Sequence, residues 1–201
     1  VISSVIPSQS INQNVDNDST DIIIRPAQIK DIGHLAEILA YGFYDFPQIF
    51  NWVYPLLRLS IYEDLRSRLR SHPPLYCCLV ASLGGIEPIG TIEIAVRSPC
   101  WWSTEIQYPY VSNLAVRSSY RRQGIGRKLL EKCERVARKW GYQQIRLHVL
   151  EKNLAAKKLY FCNGYQLERQ EPNWNGFFFD SSQRLLLSKE LSDYPYSTPE
   201  S

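Results

Sequence analysis

The chain has 201 residues, 44% apolar and 21% charged, as expected of an ordinary globular domain with a proper core. A net charge of +3 lacks the strongly basic field of a nucleic-acid partner. No apolar run approaches the ~20 residues that span a bilayer, so neither nucleic acid nor a membrane is expected as a partner.

Residues 1–20 are rich in Ser, Asn, Gln and Asp, with no basic start and no long apolar run. They read as a disordered tail rather than a signal peptide. Ile22 to Ile24, followed by Arg25 and Pro26, reads as a first strand closed by proline. Asp31 stands where an N-cap would, ahead of Ile32, Leu35, Ala36, Ile38 and Leu39 at helical spacing. From Tyr41 to Tyr54 the chain is dense in aromatics, which suits core or cover more readily than a binding site. Leu56 to Arg70 reads as a basic second helix, stopped before Pro73-Pro74. Leu75–Leu83 and Ile89–Val96 are two predicted strands of an antiparallel hairpin, whose turn carries Gly84, Gly85 and Pro88. Ser98 to Gln107, with Trp101 and Trp102, reads as an inserted loop.

The organising stretch comes next. Tyr110-Val-Ser-Asn-Leu-Ala-Val116 suits a strand, and Arg121-Arg122-Gln123-Gly124-Ile125-Gly126-Arg127 leads into an amphipathic helix. Its apolar positions Leu129, Leu130, Cys133, Val136, Ala137 and Trp140 share one face, and Gly141 follows where a helix usually stops. Gly124 and Gly126 therefore sit at a helix N-terminus. There, unpaired backbone N–H groups and the macrodipole favour an anion, and glycine lets a phosphate approach. Arg121, Arg122 and Arg127 add full charges. A tight strand-to-helix turn would use the same two glycines. A Walker A loop is excluded because no Gly-Lys-Ser/Thr follows, and a dinucleotide fingerprint fails because its third glycine position is Leu129.

Further along, Ile145, Leu147 and Val149 lie on one face of a predicted strand, with Gln144, Arg146 and His148 on the other. Asn153 is placed to cap a short helix that ends at Asn163-Gly164. Asn153 and Tyr160 are then on one face of it, roughly 10 Å apart along the axis. Tyr165–Arg169 and Arg184–Leu187 are the last strands. A loop with Trp174 and Phe177 to Phe179 separates them.

Two of these patterns carry a resemblance. Arg121-x-x-Gly124-x-Gly126, preceded by Asn-Leu-Ala-Val, resembles the acetyl-CoA loop of the GNAT acetyltransferase superfamily. Asn153-x-x-Ala-x-x-Leu159-Tyr160 with Gly164-Tyr165 is similar to its second motif, one strand and one turn further on. Ile24-Arg-Pro-Ala-x-x-x-Asp31-Ile also looks like the usual opening of such domains. The resemblance covers residues 21–191, between a tail at 1–20 and another at 192–201. It implies an α/β fold, a mixed and mostly antiparallel sheet flanked by helices, and the predicted element order agrees.

The resemblance further implies acetyl-CoA as co-substrate. Arg121, Arg122, Gln123, Gly124, Ile125, Gly126 and Arg127 would meet the pyrophosphate. Leu114, Ala115 and Val116 would bond the pantetheine in place of a neighbouring strand, and Asn153, Leu154, Ala155 and Tyr160 would line its inner end. Amine attack on a thioester expels a thiolate, which a positioned phenol can protonate, so Tyr160 is the expected acid. His148, with Tyr110, resembles the Tyr/His pair of some protein N-terminal acetyltransferases, and either could serve as base, directly or through water.

Glu171-Pro-x-Trp174 and Arg184-Leu-Leu-Leu187 look like plastid and cyanobacterial enzymes that acetylate protein N-termini and lysines. The expected acceptor is therefore a protein N-terminus or lysine. A small arylalkylamine, or a module that only binds acyl-CoA, remain as alternatives. The chain would act as a monomer or homodimer in the cytoplasm, or in the plastid stroma of a plant or alga. Cys77, Cys78, Cys100, Cys133 and Cys162 show no metal-ligand spacing, so no metal is expected and free thiols are.

Overall fold

Cys78 and Val80 face one side of their strand and Leu79 and Ala81 the other, and the two sets feed two separate apolar cores. The computed structural model describes residues 21–43, 54–98, 107–171 and 183–191. Its strands are β1 (Ile22–Pro26), β2 (Tyr76–Leu83), β3 (Glu87–Arg97), β4 (Tyr108–Val116), β5 (Gln144–Leu150), β6 (Gln166–Glu171) and β7 (Arg184–Glu190). Its helices are α1 (Ile32–Phe43), α2 (Tyr54–Ser71), α3 (Ile125–Lys139) and α4 (Leu154–Cys162). The strands form one seven-stranded sheet in the order β1-β2-β3-β4-β5-β7-β6. Neighbours are antiparallel except β4 and β5, which run parallel across the α3 connection. This is the mixed α/β sandwich anticipated from the element order.

Helix α3 covers one face. Ile125, Leu129, Leu130, Cys133 and Ala137 are buried with Ile92, Ile94, Ile145 and Leu147, while α1 and Leu65 of α2 close the other face over Cys78, Val80 and Ala115. Helix α3 ends as expected at Gly141 (φ 85°), with Gly141 N–H donating to Arg138 O (2.9 Å) and Tyr142 N–H to Ala137 O (3.1 Å).

Some local expectations change. Asp31 does not cap α1 from outside it. It ends a short 3₁₀ turn (Ile29–Asp31) that runs straight into the helix, and its carboxylate reaches back to Gln28 N–H (2.8 Å). The same carboxylate takes a bidentate bond from Arg25 (2.7 and 2.9 Å), tying β1 to α1. Pro88 lies inside β3 rather than in the turn, beside a register shift at Ala81/Ser82. A strand tolerates proline at such an irregularity. Cys77, Cys78, Cys133 and Cys162 are free thiols. The tails at 1–20 and 192–201, most of the aromatic stretch, the Trp101-Trp102 loop, the Trp174 loop and Cys100 lie outside the described residues. Among the described residues no helix is long and apolar enough to cross a membrane.

Candidate active site

The site begins where two parallel strands part. β4 and β5 pair at Tyr110–Arg146 and Val111–Leu147 and at no later position, so Ser112 to Val116 run along β3 on one side and have no strand on the other among the described residues. A bulge produces the divergence: the β3–β4 register shifts between Thr91 and Glu93, and Asn113 adopts φ 55°. The bulge is held from beneath. Glu93, 1% exposed, accepts from Asn113 Nδ2 (2.6 Å), Arg68 Nη1 (2.8 Å) and the Tyr76 hydroxyl (2.9 Å). With Leu114, Ala115 and Val116, the gap exposes a strand edge of the kind an extended ligand can pair with. The Val116 carbonyl is already engaged, accepting from Arg121 Nε at 2.9 Å.

An anion cradle follows the gap. Arg122 (φ 67°) and Gly124 (φ 78°) are left-handed, which turns successive N–H groups to one side. Lys128 N–H makes the first intrahelical bond, to Gly124 O (3.0 Å). From Arg122 through Gln123, Gly124, Ile125, Gly126 and Arg127, no backbone N–H has a partner among the described residues. A side chain on Gly124 would meet nothing within 4 Å, so the space before the helix is open. These donors fit a diphosphate. The arginines contribute unequally: Arg127 is paired with Glu131 (2.8 Å), and Arg121 is anchored to the strand.

Helix α4 brings the second motif alongside. Asn153 caps it, its Oδ1 accepting from Ala156 N–H at 3.0 Å, which leaves its amide NH₂ for a ligand. Leu154 and Ala155 are exposed in the first turn. Tyr160 is 7% exposed, stacks obliquely on Tyr165 (5.8 Å between rings), and its hydroxyl has no hydrogen-bond partner among the described residues. Burial and the neighbouring Tyr110 raise its pKa, so it keeps its proton at neutral pH.

At the point where β4 and β5 separate, the remaining candidates meet. The Tyr110 hydroxyl is 2.9 Å from His148 Nδ1, and His148 Nε2 is 3.0 Å from Glu171 Oε2. Arg97 lies over the Tyr110 ring at 3.8 Å. Burial and the charge of Arg184 lower the His148 pKa, against the pull of Glu171 and with a further push from Arg97. The imidazole is therefore neutral at neutral pH. Burial raises the Tyr110 pKa, although Arg97 and Arg184 oppose it. The structure thus joins Tyr110 and His148 where β4 and β5 part, with Tyr160 near enough to feel the charge of Tyr110, and the Arg121–Arg127 loop follows the other end of the β4 edge.

The pattern of the Acetyltransferase (GNAT) family matches residues 43–165, a span that holds both the gap and the cradle. The chain belongs to the GNAT family. It is 38% identical over 103 residues to GCN5-related N-acetyltransferase 7, chloroplastic, of Arabidopsis thaliana, covering 51% of this chain and 38% of that protein. To GCN5-related N-acetyltransferase 10, chloroplastic, of the same plant it is 27% identical, over 71% of this chain and 60% of that one. The chain thus spans less than two thirds of the length of either chloroplastic relative. It is 33% identical to the thialysine N-epsilon-acetyltransferase of Bos taurus, over 63% of this chain and 78% of the relative. The GNAT fold is shared with the ribosomal-protein-alanine N-acetyltransferase of Brucella melitensis (TM-score 0.66, 22% identical, covering 84% and 99% of the two chains). A chain of the NatC complex bound to Gag peptide and CoA is similar as well (TM-score 0.65, 19% identical, covering 86% and 100%).

Sequence reasoning gave no role at this candidate site to three residues. Glu93 sits in a strand whose neighbours are all buried, and an acidic residue in an apolar run was the available signal. Asn113 precedes Leu114, and asparagine tolerates a positive φ. Glu171 enters the sequence reading only through the Glu171-Pro-x-Trp174 pattern, and its contact with His148 has no local signature because β7 lies between their strands.

Proposed function

We propose that the chain is an acetyl-CoA-dependent N-acetyltransferase whose acceptors are protein N-terminal α-amines and, more slowly, lysine ε-amines, by direct transfer in a ternary complex. The observation that supports this most is the Tyr110–His148 pair at the inner end of an unpaired strand edge, with the buried Tyr160 within reach of the charge of Tyr110. Acetyl-CoA, when bound, supplies an acetyl group activated as a thioester. The unpaired N–H groups from Arg122 to Arg127 would hold its diphosphate. The Leu114–Val116 edge, with Asn153, Leu154 and Ala155, would hold its pantetheine. Tyr160 donates its hydroxyl proton to the departing sulfur. The Tyr110–His148 pair takes the proton that the amine must lose.

The preference between amines follows from proton affinity. A lysine with pKa near 10.4 must give up roughly 4–5 kcal/mol to be neutral at pH 7, whereas an α-amine at about 7.7–8.0 needs only about 1 kcal/mol. A neutral histidine is a modest base, and it serves the α-amine more readily. The chloroplastic relatives favour the plastid as the place of action. The thialysine N-epsilon-acetyltransferase relatives favour a second reading, a small primary amine as acceptor.

The test is intact-mass detection of acetyl transfer to three acceptors: a peptide with only an α-amine, a peptide with only a lysine amine, and a small arylalkylamine. Transfer to the peptides supports the protein-acetylating reading. Transfer to the small amine alone replaces it with the second, and acetyl-CoA binding without transfer to any acceptor marks a non-catalytic binding module.

A further inference from the structure

We infer that Glu171 is a positioning residue that selects the tautomer of His148 and thereby makes Tyr110, rather than the imidazole, the group that meets the acceptor amine. The inference rests on the acetyltransferase reading and assigns the base within it.

Glu171 ends β6, which pairs with β7, and β7 in turn pairs with β5. Its contact with His148 therefore passes over an intervening strand. The carboxylate is divided between two partners: Oε1 accepts from Arg169 Nε and Nη2 (2.9 and 2.6 Å), and Oε2 faces His148 Nε2 (3.0 Å). Burial opposes its ionisation, yet the bonds from Arg169 and His148 hold its pKa below the usual carboxylate range. An ionised carboxylate only accepts, so Nε2 must carry the hydrogen. In a neutral imidazole Nδ1 is then a lone pair, and the hydroxyl of Tyr110 at 2.9 Å is its donor. Both ring nitrogens are occupied. The Tyr110 oxygen, having donated its proton, keeps one lone pair for an incoming N–H beside the one that faces Arg184.

The transfer balances. As the amine nitrogen bonds to the acyl carbon, its N–H proton passes to Tyr110 Oη. The Tyr110 hydroxyl proton passes to Nδ1, and the imidazolium so formed faces Glu171. The carbon–sulfur bond would break with the Tyr160 proton passing to the thiolate, and after turnover the imidazolium loses its proton to solvent while Tyr160 regains one. The charged and titratable groups around His148 are Tyr110 on β4, Arg97 at the end of β3, Arg184 on β7 and Glu171 on β6. The two arginines disfavour the imidazolium, and Glu171 is the group that favours it.

The experiment compares wild type, Glu171→Gln and Glu171→Ala by nitrogen-15 NMR of His148 in the free protein, and by the pH profile of kcat on the α-amine peptide. Wild type should show the Nε2–H tautomer. Glu171→Ala should show a tautomer mixture and a kcat lower by roughly 10²-fold, with KM for acetyl-CoA unchanged. Glu171→Gln retains an acceptor oxygen, so it should restore the tautomer and part of kcat. In both variants the acidic limb should move to lower pH, because the charge that favours the imidazolium is gone. A His148 tautomer and acidic limb identical to wild type in Glu171→Ala would reduce Glu171 to a tie between strands and overturn the inference. So would full kcat in Tyr110→Phe. Absence of transfer by wild type would instead defeat the acetyltransferase reading, and the NMR comparison would still decide whether Glu171 sets the tautomer.

Discussion

Leu159 Cδ2 lies 3.2 Å from where a Cβ on Gly126 would stand, so the helix carrying Tyr160 leans on the first turn of the helix that forms the anion cradle. The two motifs are one mechanical unit. Gly126→Ala should therefore shift Leu159 slightly and weaken acetyl-CoA binding modestly. Gly126→Asp adds a carboxylate where the proposed diphosphate would lie and should abolish binding in a protein that still folds. Calorimetric titration with acetyl-CoA on both variants, with circular dichroism as the folding control, checks this. Unchanged affinity in Gly126→Asp would remove the phosphates from this loop.

Glu93 is the polar anchor of the β4 bulge. Glu93→Gln keeps the shape but leaves Arg68 without its buried counter-charge, and Arg68 stays partly in contact with water. The expected loss is about 1–3 kcal/mol of stability, read as a lowered urea midpoint. Acetyl-CoA affinity should fall with it, since Asn113 and the strand edge lose their support. A variant that loses stability at full affinity would show that the bulge does not depend on Glu93.

What the sequence revealed, and what it hid, divides by range along the chain. The cradle, the Asn153 cap and the Gly141 stop are written in residues a few positions apart, and each appears where its local chemistry demands. The strand edge at Leu114–Val116 was implied only by family resemblance, and its cause, the Asn113–Glu93 bond, joins residues from two strands. Asp31 was misread because its partner Arg25 lies on β1, and an N-cap and a residue reaching back into a 3₁₀ turn look alike in sequence. Glu134, within the apolar face of α3, is buried against Lys189 of β7 (2.8 Å), another pairing that only the sheet order brings about. His148 was legible as a candidate, but its two ring partners were not.

Acetylation should depend on pH through both the acceptor and His148. Lowered by burial and Arg184, the His148 pKa sits below its ordinary value near 6.5, so the enzyme's own acidic limb lies below that pH and the imidazole is ready at pH 7. Above pH 7 the rise in rate should track the acceptor: it should level off near pH 8 for an α-amine and continue past pH 9 for a lysine. His148→Ala should slow both, and lysine more. Turnover against pH on the matched peptides measures this. Identical profiles for the two amines would contradict it.

The most direct measurement is acetyl-CoA affinity and turnover side by side in wild type and Tyr160→Phe. Tyr160 is buried, keeps its proton and lies close to Tyr110, so loss of its hydroxyl should leave the pocket's shape unchanged. The account predicts equal affinity and a kcat lower by about 10²–10⁴-fold. Undiminished turnover in Tyr160→Phe would contradict it and leave Tyr160 a packing residue. Equal losses of affinity and turnover would contradict it too, making the hydroxyl a ligand contact rather than the acid.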